Sequence, residues 1–442
     1  MSQDTIYALS SGHGRSAVAV VRVSGPRVRT IVERLTGTIP PVRQACYRAI
    51  RQPMSGEVID HGIVLYFAAP SSATGEDIVE FHVHGGRAVL RALYEALDTF
   101  DLCRPAEPGE FARRGFENGK LDLTAAEGIA DIIDAETEAQ RRQAQRQAGG
   151  ALAKLYDGWR RQLIEAQALV EAAIDFSDEG DVGDKAYMGA DEICRLLQAC
   201  ICEHLASADR GEIVRSGFHV VIAGPPNAGK SSLLNALARR DAAIVSDEAG
   251  TTRDVIEVHM DLDGLPVIIN DTAGVRETES AVEQEGIRRT MDRAQKADLI
   301  LWVQDVTSPE EPTDDILSAG HVLIVQNKSD LLRTPSDRDR SGQIRIAALH
   351  GTGVPDLIDL IVSCARERIG DVDDLMPTNA RHRRHLEIAV RDLDRFQNGD
   401  EAELELRAED LRLAATAIGR LTGRIDVEDI LDEIFSRFCV GK

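Results

Sequence analysis

Residues 224–232 read G-P-P-N-A-G-K-S-S, directly after the apolar run Phe218-His219-Val220-Val221-Ile222-Ala223. No other stretch restricts the possible folds as strongly. A G-x-x-x-x-G-K-S turn between a buried strand and a helix aims backbone N–H groups at phosphate oxygens. Asn227, Ala228, Gly229, Lys230, Ser231 and Ser232 are therefore predicted to wrap a nucleotide's phosphates. Lys230 would reach the β- and γ-phosphates, the Ser231 hydroxyl would ligate Mg²⁺, and the helix that follows would add its positive dipole end. The helix-forming run Leu233-Leu234-Asn235-Ala236-Leu237 stands where that helix is needed. An ordinary glycine turn would not need it.

Three further motifs follow in order, two of them directly behind a strand-like run. Val267-Ile268-Ile269 leads into Asn270-Asp271-Thr272-Ala273-Gly274, where Asp271 would hold Mg²⁺ through water and the Gly274 N–H would sense a γ-phosphate. Gly250-Thr251-Thr252-Arg253-Asp254 lies in a polar stretch suited to a loop, and Thr252 is the candidate to complete the magnesium shell. Val322-Leu323-Ile324-Val325 ends in Gln326-Asn327-Lys328-Ser329-Asp330. Asp330 would accept from N1–H and the 2-amino group of guanine. Adenine lacks that amino group, so the motif favours GTP over ATP. The residue after D-T-A-G is Val275, which cannot orient a nucleophilic water. Arg276, Glu277, Glu279, Glu283 and Glu285 are the nearby alternatives; an arginine supplied by a partner, or a monovalent cation held by the Asn227 carbonyl, are the others.

At 442 residues the chain has room for two or three domains. No run of ~18 apolar residues appears, so no membrane span is expected. The first residues, Met1-Ser2-Gln3-Asp4-Thr5, do not read as a secretory signal, and seven scattered cysteines point to a reducing cytoplasm. Cys194, Cys200, Cys202 and His204 fall in a helical run whose i and i+2 positions do not share a face, which favours core burial over metal binding. The net charge of −23 is uneven: residues 1–120 hold 14 Lys+Arg against 13 Asp+Glu, the remainder 37 against 61. So acidic a body repels nucleic acid in bulk, leaving RNA contact to the first zone, a partner, or a local patch such as Arg381-His382-Arg383-Arg384-His385. For that patch a solvated helix face is the simpler reading.

Periodicity divides the chain into zones. Residues 1–118 alternate β-rich runs (17–23, 62–66, 78–83) with turns and one helix near 88–97, an α+β character. The pattern is helical from 123 to about 208, in runs at 139–147, 152–176 and 192–205. It is α/β over 216–370, then helical again at 386–396, 404–421 and 427–438. The expected architecture is multidomain α+β, with a helical bundle (119–215 and 371–442) interrupted by an α/β P-loop GTPase domain (216–370). Four independent units in a row are the alternative. The end of the chain, Phe438-Cys439-Val440-Gly441-Lys442, is a poor prenylation signal, and its attachment to an amphipathic run suggests that it is held against something.

Together these features resemble the MnmE/TrmE family of tRNA-modification GTPases over the whole chain. The residues carrying the resemblance are Asp4-Thr5-Ile6, Arg22-Val23-Ser24-Gly25, Gly75-Glu76-Asp77, His84-Gly85-Gly86, Pro105-Ala106-Glu107-Pro108-Gly109-Glu110-Phe111, Lys120-Leu121-Asp122-Leu123, the nucleotide motifs and Cys439-Val440-Gly441-Lys442. The resemblance implies an N-terminal folate-binding and dimerisation domain (1–118), with Arg22, Glu80, Lys120 and Lys442 as folate contacts. The basic residues would suit the folate glutamate tail, and Glu80 a donor-rich pterin. It implies a tetrahydrofolate derivative (5-formyl or methylene) as one-carbon source and an FAD- and NADH-using MnmG-type partner in a heterotetramer or larger complex. The product would be an aminomethyl or carboxymethylaminomethyl group at C5 of a tRNA wobble uridine. It further implies a homodimer. K⁺ would be held by Asn227, Ser246, Glu248 and Thr251, within a nucleotide-contacting segment that also includes Asp247, Ala249, Gly250 and Thr252, and Glu283 would orient water. Catalysis would then rest on Glu283, Lys230 and Thr252. Two departures stand out: Ala347-Ala348 where Ser-Ala is usual near guanine O6, and Ser246 where threonine is common. A GTP-switched ribosome-assembly factor, or a folate enzyme regulated by GTP, are the rival readings; the near-neutral first zone and acidic body argue against the former.

Overall fold

The computed structural model describes residues 4–12, 14–175, 180–239, 243–244, 257–271, 295–332, 344–372, 374–399, 403–425, 428–436, 438 and 440–441. The chain divides into two compact units, one of residues 1–130, 147–160 and 416–442, the other of 131–146 and 161–415. The helical zones on either side of the α/β zone are thus shared between them.

The first unit is built on a six-stranded sheet: β1 (Thr5–Leu9), β2 (Ser16–Ser24), β3 (Cys46–Arg51), β4 (Val58–Phe67), β5 (Ile78–Gly85) and β6 (Cys103–Pro105), in the order β3-β4-β5-β2-β1-β6. Only β1 and β6 run parallel; the other pairs are antiparallel. Alternation decides which face is wet. Val21, Val23, Val64, Val79, Phe81 and Val83 are buried beside α1 (Val28–Thr36) and α2 (Arg87–Leu97), which contribute Ile31, Leu35, Leu93 and Leu97 to the same core. Arg22, Glu80 and His82 fall on the opposite parity and remain partly exposed. Gly37, at φ 80, ends α1 by donating its N–H to the Glu33 carbonyl.

Two short helices follow the sheet, α3 (Glu110–Glu117) and α4 (Leu123–Asp134). The run 428–436 returns as a helix against α3, with Phe435 tilted over Phe116 and Phe438 at ring-centroid distances of 6.5 and 5.5 Å. The chain end is fastened. Val440 bridges Pro108, and the Ser10 hydroxyl donates to the Gly441 carbonyl at 2.8 Å. Gly441 has φ 100, and a Cβ there would lie 2.1 Å from the Leu9 carbonyl oxygen. Cys439 and Lys442 lie outside the described residues.

The second unit contains a seven-stranded sheet of β7 (Phe218–Ala223), β8 (Ala243–Ile244), β9 (Glu257–Leu262), β10 (Leu265–Asp271), β11 (Leu299–Asp305), β12 (Val322–Asn327) and β13 (Ile344–Arg345), ordered β13-β12-β11-β7-β10-β9-β8. The five strands from β13 to β10 run parallel. β9 and β8 are added antiparallel. Central β7 is apolar at nearly every position because helices cover both faces of a parallel sheet. Its helices include α5 (Glu138–Ala148), α6 (Ala151–Asp175, shared with the first unit), α7 (Gly180–Ala206), α8 (Ala208–Ser216), α9 (Lys230–Ala238), α10 (Asp314–Ala319), α11 (Val354–Ile369), α12 (Ala380–Asn398) and α13 (Leu404–Thr422, also shared).

Helix α7 begins well before the expected 192. Its first half is held by Tyr187, whose ring meets Phe396 of α12 at 6.1 Å and lies under the Arg407 guanidinium. The Arg381–His385 segment is not a free basic surface. His382 is fully buried, and Arg383 is bound to Asp209 and Glu212. The expected core burial holds for Cys194 alone: Cys200 and Cys202 are exposed, because at their spacing α7 turns them away from the face that Cys194 buries.

Candidate functional site

The parallel strands end at one edge of the sheet, and register brings the motifs together there. Trp302 of β11 pairs with Ala223, Asp271 of β10 with Ile222, and Asp305 of β11 with Asn327 of β12. The carboxyl edge of such a sheet is where loops can build a nucleotide crevice.

The phosphate-type loop occupies residues 224–229, between β7 and α9. Gly224 has φ 143, and a Cβ there would meet the Val303 carbonyl oxygen at 2.0 Å, so only glycine lets the chain pass under β11. Asn227 is exposed and also left-handed, at φ 61. Gly229, at φ 93, caps α9 and delivers its first turn, whose N–H groups have no partner within the helix, to the open end of the loop. Lys230 donates to the Gly224 and Pro225 carbonyls at 2.8 and 2.9 Å, so its ammonium lies across the loop. Ser231 is exposed on that first turn. A hydroxyl there suits a hard cation shared with phosphate oxygens.

Asn327 joins this loop to the next. It is 2 % exposed; its Nδ2 donates to the Ala228 carbonyl at 2.9 Å, and its Oδ1 accepts the Ala348 N–H at 3.0 Å. A Cβ on Gly229 would lie 2.2 Å from that Nδ2, a second reason for glycine there. The Ala348 amide, in the segment that departs from the usual Ser-Ala, is thus directed at Asn327. Lys328 is left-handed at φ 64 and donates to Asp305 at 2.7 Å. That hydrogen bond, with those from Thr307, holds the Asp305 carboxyl down at about 2. Asp330 stands on a short 3₁₀ turn, Ser329–Leu331, with His350 Nε2 3.8 Å from its carboxylate.

Asp305 and His350, the neighbours of Lys328 and Asp330, were not singled out from the sequence. Asp305 was legible as the acid ending the apolar run Leu299–Val303; His350 was not, because its neighbour lies twenty residues away. Ser246, Asp247, Glu248, Ala249, Gly250, Thr251 and Thr252 lie outside the described residues, as do Thr272, Ala273, Gly274 and Glu283. For Asp271 only the strand backbone is described.

In the first unit, Arg22 and Glu80 are directly opposite on β2 and β5. The guanidinium donates to Glu80 Oε1 from Nε at 3.1 Å and Nη2 at 2.9 Å, and stands 5.8 Å from the Phe111 ring. His82 Nε2 lies 3.3 Å from the other Glu80 oxygen. Arg22 and Glu80 thus stand side by side on one patch of the sheet. Lys120 is exposed after α3, its stem against Gly75.

Beneath lies a charge network. Arg114, with a side chain 4 % exposed, donates to Asp4 and Glu110, both at 2.9 Å, and to Glu76 at 3.2 Å; Arg104 shares Asp4 and Glu110. It ties the start of β1, the 72–77 loop and α3 into one frame. Among the described residues no group of three His, Cys, Asp or Glu side chains could hold a metal ion, and no helix is long and apolar enough to cross a membrane.

Comparison with known proteins adds two family matches. Residues 123–439 match the model described as MnmE helical domain, and residues 5–120 the model described as GTP-binding protein TrmE N-terminus. Proteins named tRNA modification GTPase MnmE align along the chain. That of Rhodopseudomonas palustris strain BisB5 is 50 % identical over 462 residues, covering 100 % of this chain and 99 % of its own. The strain CGA009 protein is 51 % identical, with the same shares covered. That of Brucella anthropi is 48 % identical over 440 residues, covering 100 % of this chain and 98 % of its own.

Proposed function

The chain belongs to the MnmE/TrmE family, and from that premise we propose that it is a GTP-hydrolysing tRNA modification enzyme. The observation that carries the reading is the Asn327 clamp. A phosphate loop and a base-reading segment are held by one buried amide side chain, an arrangement with a clear purpose only if one molecule spans both. In this reading the first turn of α9 and Lys230 grip the phosphates, Asp330 reads N1–H and the 2-amino group of guanine, and Ser231, Thr252 and Asp271 attend Mg²⁺. Magnesium would supply charge neutralisation between the phosphates. Asn227, whose exposed carbonyl-bearing side chain sits on the open loop, would share K⁺ with Ser246, Glu248 and Thr251, and Glu283 would orient water.

The finer proposals extend this reading. Arg22 and Glu80 present a donor edge and an acceptor edge side by side, which suits an aminopyrimidinone carrying both kinds of group, and Lys120 and Lys442 would attend a folate's carboxylates. The one-carbon unit would go to C5 of a wobble uridine, with an MnmG-type FAD partner and a homodimer of this chain. The domain division 1–118, 119–215, 216–370 and 371–442 and a cytoplasmic location belong to the same proposal. GTP hydrolysis measured in KCl and in NaCl tests the cation assignment: turnover is expected only in KCl, and equal rates would remove potassium from the mechanism. Mass analysis of wobble uridines in a deletion strain tests the substrate, the expected outcome being loss of the C5 substituent.

A further inference from the structure

The hairpin of β9 and β10 joins two segments that carry nucleotide motifs, since β9 follows residues 250–254 and β10 runs into Asp271. Its turn is remote from the nucleotide edge of the sheet and touches α5 instead. Helix α5 begins with a reciprocal capping arrangement: the Thr137 hydroxyl accepts from the Gln140 N–H, and Gln140 Oε1 accepts the N–H groups of Glu136 and Thr137. One donor of the first turn is satisfied from outside the helix. The Ala139 N–H donates to the carbonyl of Gly264, at the hairpin turn, at 3.0 Å. Along β9, His259 Nδ1 lies 3.1 Å from the Glu136 carboxylate, just before the helix. Gln140 Nε2 also donates to the Arg215 carbonyl, near the end of α8 and three residues before β7.

A cleft of about 210 Å³ opens beside these contacts, lined by Glu136, Thr137, Gln140, His259 and Met260 among others. Apart from the buried methyl of Ala139, the hairpin and α5 therefore meet through directional polar contacts rather than broad packing. Such contacts respond to sub-ångström sliding of the hairpin, because a hydrogen bond weakens steeply with distance and angle whereas apolar packing yields gradually. A helix-start N–H that loses its acceptor has no substitute within the helix.

We propose that Glu136 and His259, with the Ala139–Gly264 hydrogen bond, are positioning groups that report the nucleotide state to α5 through the β9–β10 hairpin. The proposal rests on the GTPase reading above and names the route by which that site would act on the helical part of its own unit. None of these residues belongs to the loops at the carboxyl edge of the sheet, where the nucleotide motifs converge. Hydrogen exchange of the full chain, comparing a peptide spanning 137–141 with GDP and with a non-hydrolysable GTP analogue, reads the contact directly. A change in protection of roughly 5- to 10-fold between the two states is expected, the scale of one hydrogen bond gained or lost. Glu136→Ala should reduce that difference to below about 2-fold while leaving GDP affinity within about 2-fold, and Glu136→Gln, which can still accept from His259, should restore most of it. Equal protection in both states of the unmodified protein would overturn the proposal, as would a Glu136→Ala protein that keeps the full difference. A chain that binds neither nucleotide would instead overturn the GTPase reading on which the proposal stands.

Discussion

Asn327→Ala is the substitution that most directly tests whether phosphate and base segments are held as one. It removes two hydrogen bonds, to the Ala228 carbonyl at 2.9 Å and from the Ala348 N–H at 3.0 Å, at a side chain 2 % exposed. Water reaches so buried a position poorly, so both backbone groups lose most of their compensation. Each buried group left unpaired costs about 1–3 kcal/mol, and the pair together about 2–4 kcal/mol after relaxation. If half of that falls on the nucleotide-competent arrangement, affinity for guanine nucleotides falls by roughly 5- to 30-fold. Titration with a fluorescent GDP analogue measures this, and thermal unfolding of the same samples separates loop disorder from global loss. Asn327→Asp is the companion variant: it keeps an acceptor for Ala348 but turns an oxygen toward the Ala228 carbonyl, and should bind no better than the alanine protein. An Asn327→Ala protein within about 2-fold of the parent affinity would refute the clamp, since hydrogen bonds of this burial cannot be lost without effect.

Two other outcomes follow from groups away from the nucleotide edge. His204 is held down at about 4, first by burial and then by the neighbouring His382. Between about pH 6.5 and 4 the unfolded chain binds the proton more readily. Its stabilising contribution is therefore complete above about pH 6.5 and is lost as pH falls toward 4, by at most about 3 kcal/mol; His204→Gln should flatten that part of a thermal-stability profile. Arg114→Met should destabilise the first unit by about 3 kcal/mol, because it takes a buried cation from Asp4, Glu76 and Glu110, and Arg104 reaches only Asp4 and Glu110. Arg114→Lys should recover part of the loss in the same thermal assay.

Elements with one dominant periodicity were legible from sequence. β2, β4 and β5 fall where the β-rich runs between turns placed them, and the strand–loop–helix around Lys230 follows its motif. Helix α1 was missed although Val28, Ile31, Val32 and Leu35 recur at helical spacing; the signal is only nine residues long and follows Gly25-Pro26, which reads as a turn. The first half of α7 was missed for another reason. Gly180, Gly183 and Gly189 weaken local propensity, and the order comes from Tyr187 against Phe396 and Arg407. In the candidate sites, residue types were legible and partnerships were not. That Arg22 and Glu80 neutralise each other depends on the β2–β5 register, which joins positions 58 residues apart. The capping pair Thr137 and Gln140 is local and could have been read; its outside acceptor, Gly264, could not.

The Arg22–Glu80 ion pair has a consequence for selectivity. A free guanidinium on an open sheet would attract any small anion in the cell, and metabolic phosphates are abundant. With its counter-ion built in, the surface is locally neutral and offers such competitors little. A folate bound there as proposed would gain only by presenting complementary edges to both groups at once, so discrimination would come from the pattern of donors and acceptors rather than from charge.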